Sequence, residues 1–222
     1  MATTWDQWIP NILPWVPGCS IPLMEQEIVH VARDLFRRTK LWQAWSPVIT
    51  TVLNQPNYTL PVTPNSDVLQ IKEAICNDVP IEVVNWKCLP TPPEMWNPPT
   101  GVYTTDRLSF TVVGSVGDIY DQTTSGSVGV TIAAGLPLQL LLVYMPSLAA
   151  TGIDDDEMAS LVWDALASGT RARLMSLPKY DFTNLQLAGI EQGKYEAQVG
   201  ALQARSFMAN SATMPRSRTK WY

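Results

Sequence analysis

The hydrophobic period of this chain changes twice, and those two changes constrain its fold more than any other feature. Before Pro47, the apolar side chains Ile28, Val31, Ala32, Leu35 and Phe36 recur at three- and four-residue steps, the mark of one helix face. After Pro146 the same step returns at Met158, Leu161, Val162, Ala165, Leu166 and Gly169. Between them lie β-branched runs broken by Pro, Gly, Asn and Asp, which read as short strands and turns. A chain that is helical, then stranded, then helical again must either form separate domains or carry its strands as an insertion into one helical body.

The spacing predicts helices over 22–43, 157–177 and 183–208, and strands over 48–53, 68–75, 81–86, 108–113, 128–133 and 138–144. Ser20 and Pro22 supply a helix start, and Glu25 and Glu27 early with Arg37, Arg38 and Lys40 late suit the helix dipole. Asp154, Asp155, Asp156 and Glu157 open the second helix in the same sense. Thr183 and Gln186 are spaced as a capping box for the third. Along that third helix Gly189, Gly193, Ala197 and Ala201 repeat every four residues, a smooth stripe for close helix packing within the subunit or against another copy.

The expected fold class is therefore α+β: a helical bundle of one N-terminal and two C-terminal helices, an inserted antiparallel β-domain, and extended terminal arms. The parts are an N-terminal arm and helix over 1–45, a β-rich insertion over 46–150, C-terminal helices over 151–208 and a C-terminal arm over 209–222. The N-terminal arm rests on Trp5, Trp8 and Trp15 interleaved with Pro10, Pro14 and Pro17, since proline fixes φ and removes an amide donor. Residues 89–101, with five prolines, and 114–126, rich in Gly, Ser, Thr and Asp, are long irregular connections of the kind that often dock a partner.

Apolar residues make up 46% of the chain and charged ones 16%, too hydrophobic for disorder and lightly charged for a freely soluble monomer. Some apolar surface is expected to be covered in an assembly. The net charge of −5 has the wrong sign for a protein that coats nucleic acid. It is also uneven: 11 basic and 20 acidic residues precede position 197, a net of −9, and Arg205, Arg216, Arg218 and Lys220 follow. Cys19, Cys76 and Cys88 lack the pairing of a disulfide framework and the spacing of a zinc site. No secretory signal or bilayer-spanning run is evident, so synthesis and assembly in cytoplasm are expected, with no membrane partner.

Catalytic signatures are equally sparse. His30, the single histidine, has Glu27 and Asp34 at helical spacing, but no second His or Cys joins it, and no G-x-S-x-G elbow accompanies it. Asp154 to Glu157 lacks the spacing of a calcium loop, and Gly114-Ser115-Val116-Gly117 lacks the lysine of a phosphate loop. No catalytic residue, metal ligand or cofactor is assigned. The aromatic termini carry the interaction candidates: Trp5, Trp8, Trp15 and Trp221 with Tyr222, and beside them Arg205, Arg216, Arg218 and Lys220. The tryptophans either anchor a neighbouring chain or staple their own, and the basic tail either docks or is solvated.

The run Ile12-Leu13-Pro14-Trp15-Val16-Pro17-Gly18-Cys19, leading through Ile21-Pro22 into a helix that ends near Arg37-Arg38-Thr39 and Trp42, resembles the opening of tailed-bacteriophage head-to-tail adaptor (neck) proteins. The run from Trp163 to Met175, with Gly169-Thr170-Arg171-Ala172-Arg173-Leu174, then Leu177-Pro178 and a final helix holding Tyr195-Glu196-Ala197, is similar to that family's close. The two stretches bracket almost the whole chain. The resemblance implies a structural virion protein of the neck, a non-enzymatic subunit of a ring, twelve-membered in the family, between portal and tail tube or nozzle. DNA would pass through its channel without being read. The competing expectation is a β-sandwich module that recognises a receptor or glycan, with the helices as its assembly handle.

Overall fold

The computed structural model describes residues 3–52, 57–61, 65–85, 101–104, 109–113 and 135–210. In chain order its elements are β1 (Thr3–Thr4), a 3-10 turn (Trp5–Gln7), α1 (Ile9–Ile12), a second 3-10 turn (Leu13–Trp15), α2 (Ile21–Thr39), β2 (Gln43–Trp45), β3 (Ile49–Thr50), β4 (Asn57–Thr59), β5 (Ser66–Cys76) and β6 (Val79–Asn85). There follow β7 (Gly101–Thr104), β8 (Ser109–Val113), β9 (Pro137–Pro146), β10 (Gly152–Ile153), α3 (Asp156–Ser176) and α4 (Leu185–Asn210). The fold is mixed α+β, with four α-helices and largely antiparallel sheets among the described residues.

Two compact units divide the chain. The described residues within Met1–Trp42, Pro64–Asp67 and Met145–Tyr222 make the helical unit, and those within Gln43–Thr63 and Val68–Tyr144 make the β unit.

In the helical unit α3 and α4 pack along each other and α2 packs on both. The apolar face read from the sequence of α2 is the one buried: Ile28, Val31, Ala32, Leu35 and Phe36 are all inaccessible to solvent. The helix stops at Lys40, which takes the left-handed conformation at φ 51° and closes the last turn onto the Phe36 carbonyl. Phe36 then meets Trp42 at 5.6 Å between ring centroids, so Trp42 is a core residue that follows the helix rather than belonging to it. The acidic start of α3 is used as a cap. The Asp155 carboxylate accepts from the Glu157 and Met158 amides at 3.0 and 3.1 Å.

Two local expectations are corrected. Residues 5–15 are not an extended arm: Pro10 and Pro14 occupy first-turn positions of α1 and of the second 3-10 turn, where a missing N–H costs nothing. The Thr183–Gln186 capping box does not form either. The Asn184 side chain accepts from the Leu187 amide at 3.1 Å, while the Thr183 hydroxyl donates to the Leu177 carbonyl at 2.6 Å and holds the α3–α4 turn.

The β unit is built around β9, whose Leu138, Leu140 and Leu142 alternate onto a buried face. β2 and β3 share one side of β9, and the strand order runs β2-β9-β5-β6-β7-β8-β4. Asn77 and Asp78, at φ 50° and 61°, turn β5 into β6 in the tight geometry of a two-residue hairpin. The pair β6–β7 is parallel, a departure from the all-antiparallel expectation. A parallel pair needs a crossover of about a dozen residues or more, and positions 86–100 supply that length. The irregular stretches 89–100 and 114–126, the strand expected over 128–133, and Cys88 lie outside the described residues.

Candidate functional site

Helix α4 has two unlike faces. Ala188, Glu191, Tyr195, Val199, Leu202 and Ser206 form the buried one. Glu191 is fully inaccessible, and its carboxylate is held by Arg171 at 3.1 Å and by Lys194. Such a buried charge persists only with partners of this kind. The Arg171 guanidinium also donates to the Asn11 carbonyl at 3.2 Å and lies 5.0 Å from the centre of the Trp15 ring. One ionic node thus ties the N-terminal turns to α3 and α4.

A second node links α2 to α4. Arg38 donates through two nitrogens to the Glu196 carboxylate, and the Tyr195 hydroxyl donates to Asp34 at 2.9 Å. Burial, and then the Asp34 charge, push the Tyr195 phenol well above its ordinary range. The hydrogen bond from Arg38 holds the Glu196 carboxyl below its ordinary 4.5. A depressed carboxyl pKa contributes stability that is present above 4.5 and is lost as pH falls through the lowered folded value. Because the pair is exposed, Glu196→Gln removes less than about 1 kcal/mol of this acid-sensitive stability. Urea unfolding of both proteins between pH 6 and 3 reads it as a flatter pH dependence in the variant.

The outward face of α4 carries the small-residue stripe. Cβ atoms built at Gly189 and Gly193 would meet nothing within 4 Å, and Ala197 is exposed. Among the described residues the stripe therefore does not mediate packing within the subunit, which corrects that half of the expectation. Leu185 and Ile190 flank it at 70% and 58% exposure. A shallow groove of about 280 Å³, lined by Ala172, Ser176, Leu185, Ala188 and Gly189, runs beside its start. Close packing between helices is permitted instead at Gly169, whose added Cβ would lie 2.7 Å from Val31 Cγ1 and 2.8 Å from Tyr195 Cδ2. Sequence did offer a signal there: a glycine on the apolar face of α3 is where a neighbour comes closest.

The tryptophan candidates separate. Trp8 is fully buried, stacked on Trp163 at 4.5 Å, and Trp5 is buried with its indole N–H donating to the Ala150 carbonyl at 2.6 Å. Both fill the core of their own unit, which corrects their assignment as anchors for a neighbour. Trp15 keeps an exposed edge above Arg171, and Arg205 is exposed on the last turns of α4. Arg216, Arg218, Lys220, Trp221 and Tyr222 lie outside the described residues.

A cleft of about 610 Å³ opens between the N-terminal segment, the start of α2 and residues 148–151. Trp5, Val29, Leu148 and Ala150 give it apolar walls, and Asp6 and Glu25 add two carboxyls. A hydrogen bond with Asp6 raises the Glu25 pKa, with burial adding to it. Among the described residues no group of three His, Cys, Asp or Glu side chains could hold a metal ion, and no helix is long and apolar enough to cross a membrane. No protein-family model matches the chain, and comparison with curated proteins finds no match.

Proposed function

We propose that the chain is a structural virion protein of a tailed bacteriophage, a head-to-tail adaptor that forms a ring between the portal and the tail tube or nozzle. In this reading α2, α3 and α4 form the bundle that seats against the portal, and the β unit is an insertion directed to the tail. It works as a homo-oligomer around the DNA channel, in the virion neck, after assembly in the host cytoplasm. It is not an enzyme, needs no cofactor, and reads no nucleic-acid sequence.

The observation that supports this reading most is the outward face of α4. A helix that buries a charged residue inward while exposing Leu185, Gly189, Ile190, Gly193 and Ala197 presents a surface on which another backbone can lie closely. The exposed Trp15 and Arg205 add aromatic and cationic contacts of the kind enriched at interfaces. The segment 209–222, with Arg216, Arg218, Lys220, Trp221 and Tyr222, serves as a docking arm to portal or neighbour.

Electron-microscopy averages of the purified protein, alone and mixed with a portal ring, test the reading. An extra ring of density on the portal is expected; a portal unchanged at saturating protein overturns it. Gly193→Leu is the matching variant. Because no described residue lies near an added Cβ at Gly193, the melting temperature should hold or rise, while ring formation weakens at least about tenfold through overpacking at the new interface.

One observation favours the competing reading, a receptor- or glycan-binding β module. Trp45 is 45% exposed on β2, at the end of the sheet order, with Val48 and Val52 exposed on the same stretch. Trp45→Ala should leave ring formation intact under the adaptor reading; loss of binding to host-surface glycans in that variant, with assembly unaffected, favours the alternative.

A further inference from the structure

Five acidic residues of the helical unit are paired with cations. Glu27 is paired with Arg173 at 2.6 Å, Asp34 with Arg38 at 3.5 Å, Asp67 with Arg33 at 2.8 Å, and Glu191 and Glu196 with the cations already described. In the cleft, Asp6 and Glu25 face each other instead. No lysine or arginine among the described residues lines it, and His30 is the one lining group able to become positive. Two carboxyls in contact must repel or share a proton, and a cation between them relieves both. The apolar walls around them, with Leu148 67% exposed, require an occupant with aromatic or aliphatic surface as well.

Charge complementarity names a candidate within this sequence. Beyond Glu196 the chain has no acid, and Arg216, Arg218 and Lys220 directly precede Trp221 and Tyr222. α4 ends at Asn210, leaving 12 residues, and that length of extended chain spans on the order of 40 Å, enough to reach an adjoining subunit. We propose that the cleft between the N-terminal turns and α2 receives the basic, aromatic segment 211–222 of a second copy of this chain. A cationic side chain seats between Asp6 and Glu25, and an aromatic ring covers Trp5, Val29 and Leu148. The proposal rests on the ring reading, and it assigns to subunit-to-subunit contact an arm that would otherwise go to the portal.

The test uses a fluorescent peptide of residues 211–222 and full-length protein in which Arg216→Glu and Arg218→Glu disable the receiver's own arm. Saturable binding followed by anisotropy is expected, weakening as salt is raised. Adding Glu25→Lys to the receiver should weaken it at least about tenfold, by replacing attraction with repulsion at the pair. Glu25→Gln, which keeps the shape and removes the charge, should fall between, and circular dichroism melts verify that each receiver is folded. No saturable binding, or equal binding to the Glu25 variants, overturns the proposal. The dilute unaltered protein distinguishes the source of the arm. If it takes up peptide as well as the arm-disabled receiver does, the cleft is open to a second copy; if it takes up none while the arm-disabled receiver binds, each arm fills its own cleft and the proposal fails. Portal binding is measured separately, so a ring that forms without Glu25 leaves the adaptor reading standing, and an arm that fills the cleft of a chain unable to bind portal leaves the cleft standing.

Discussion

Trp8→Ala is expected to cost about 3–5 kcal/mol of stability, the range for truncating a large buried aromatic. Trp8 has no accessible surface, stacks on Trp163 from α3 at 4.5 Å and meets Trp5 at 5.6 Å. Removing it opens a cavity where the N-terminal turns join α3. The loss is one of packing alone, because no described residue accepts from the Trp8 indole N–H. Trp8→Phe should accordingly retain most of the stability, losing about 1.5 kcal/mol or less. Urea midpoints of the three proteins measure both effects. A Trp8→Ala protein with unchanged unfolding and weakened assembly would return Trp8 to the role of an intermolecular anchor.

The same tryptophan shows where the sequence stops being legible. A segment that alternates Trp and Pro is locally compatible with an extended arm or with short helical turns that begin on proline. Neighbouring residues cannot decide between these. Contact with Trp163, about 155 positions away by the numbering, decides it, and burial of the aromatics follows. The long helices were readable because their apolar spacing is a property of the segment itself. Their exact ends were not: α2 closes on Lys40 rather than on a glycine, and α4 is capped by Asn184 rather than by the Thr183–Gln186 pair.

The inward face of α4 was hidden for a related reason. It contains Glu191, which any reading of hydrophobicity places on the surface, and its burial depends on Arg171 and Lys194 arriving together. With Glu191 taken as exposed, the smooth Gly189–Gly193–Ala197 stripe becomes the natural packing face, although it points outward. The Asp6–Glu25 pair was out of reach too, since nothing local brings position 6 to position 25. In the β unit β3, β5, β6, β8 and β9, which fall in aliphatic or β-branched runs, were readable, and the short β2, β4 and β7 were not. The Asn77-Asp78 turn uses two left-handed residues without the glycine that usually marks such a hairpin.

Gly169→Val is expected to cost about 3 kcal/mol, the upper part of the range for forcing extra groups into a packed core. Gly169 sits where the three long helices converge, with Val31 of α2 on one side and the Tyr195 ring of α4 on the other. Neither obstacle yields easily. Val31 is a β-branched side chain buried in α2, and Tyr195 is fixed by its hydrogen bond to Asp34 and by the Arg38–Glu196 pair beside it. A valine at 169 must push α2 or α4 outward, and moving α4 disturbs the partners of buried Glu191 as well. Gly193→Ala has the opposite sign. Its new methyl meets open space, and replacing glycine by alanine inside a helix stabilises by about 1 kcal/mol. The two substitutions, one on the packed face of α3 and one on the outward face of α4, separate a glycine required by packing from one left exposed. Denaturant unfolding of both variants checks the contrast: a destabilised Gly169→Val beside a stabilised Gly193→Ala is the expected result, and equal effects at the two positions would place the close approach of the helices elsewhere.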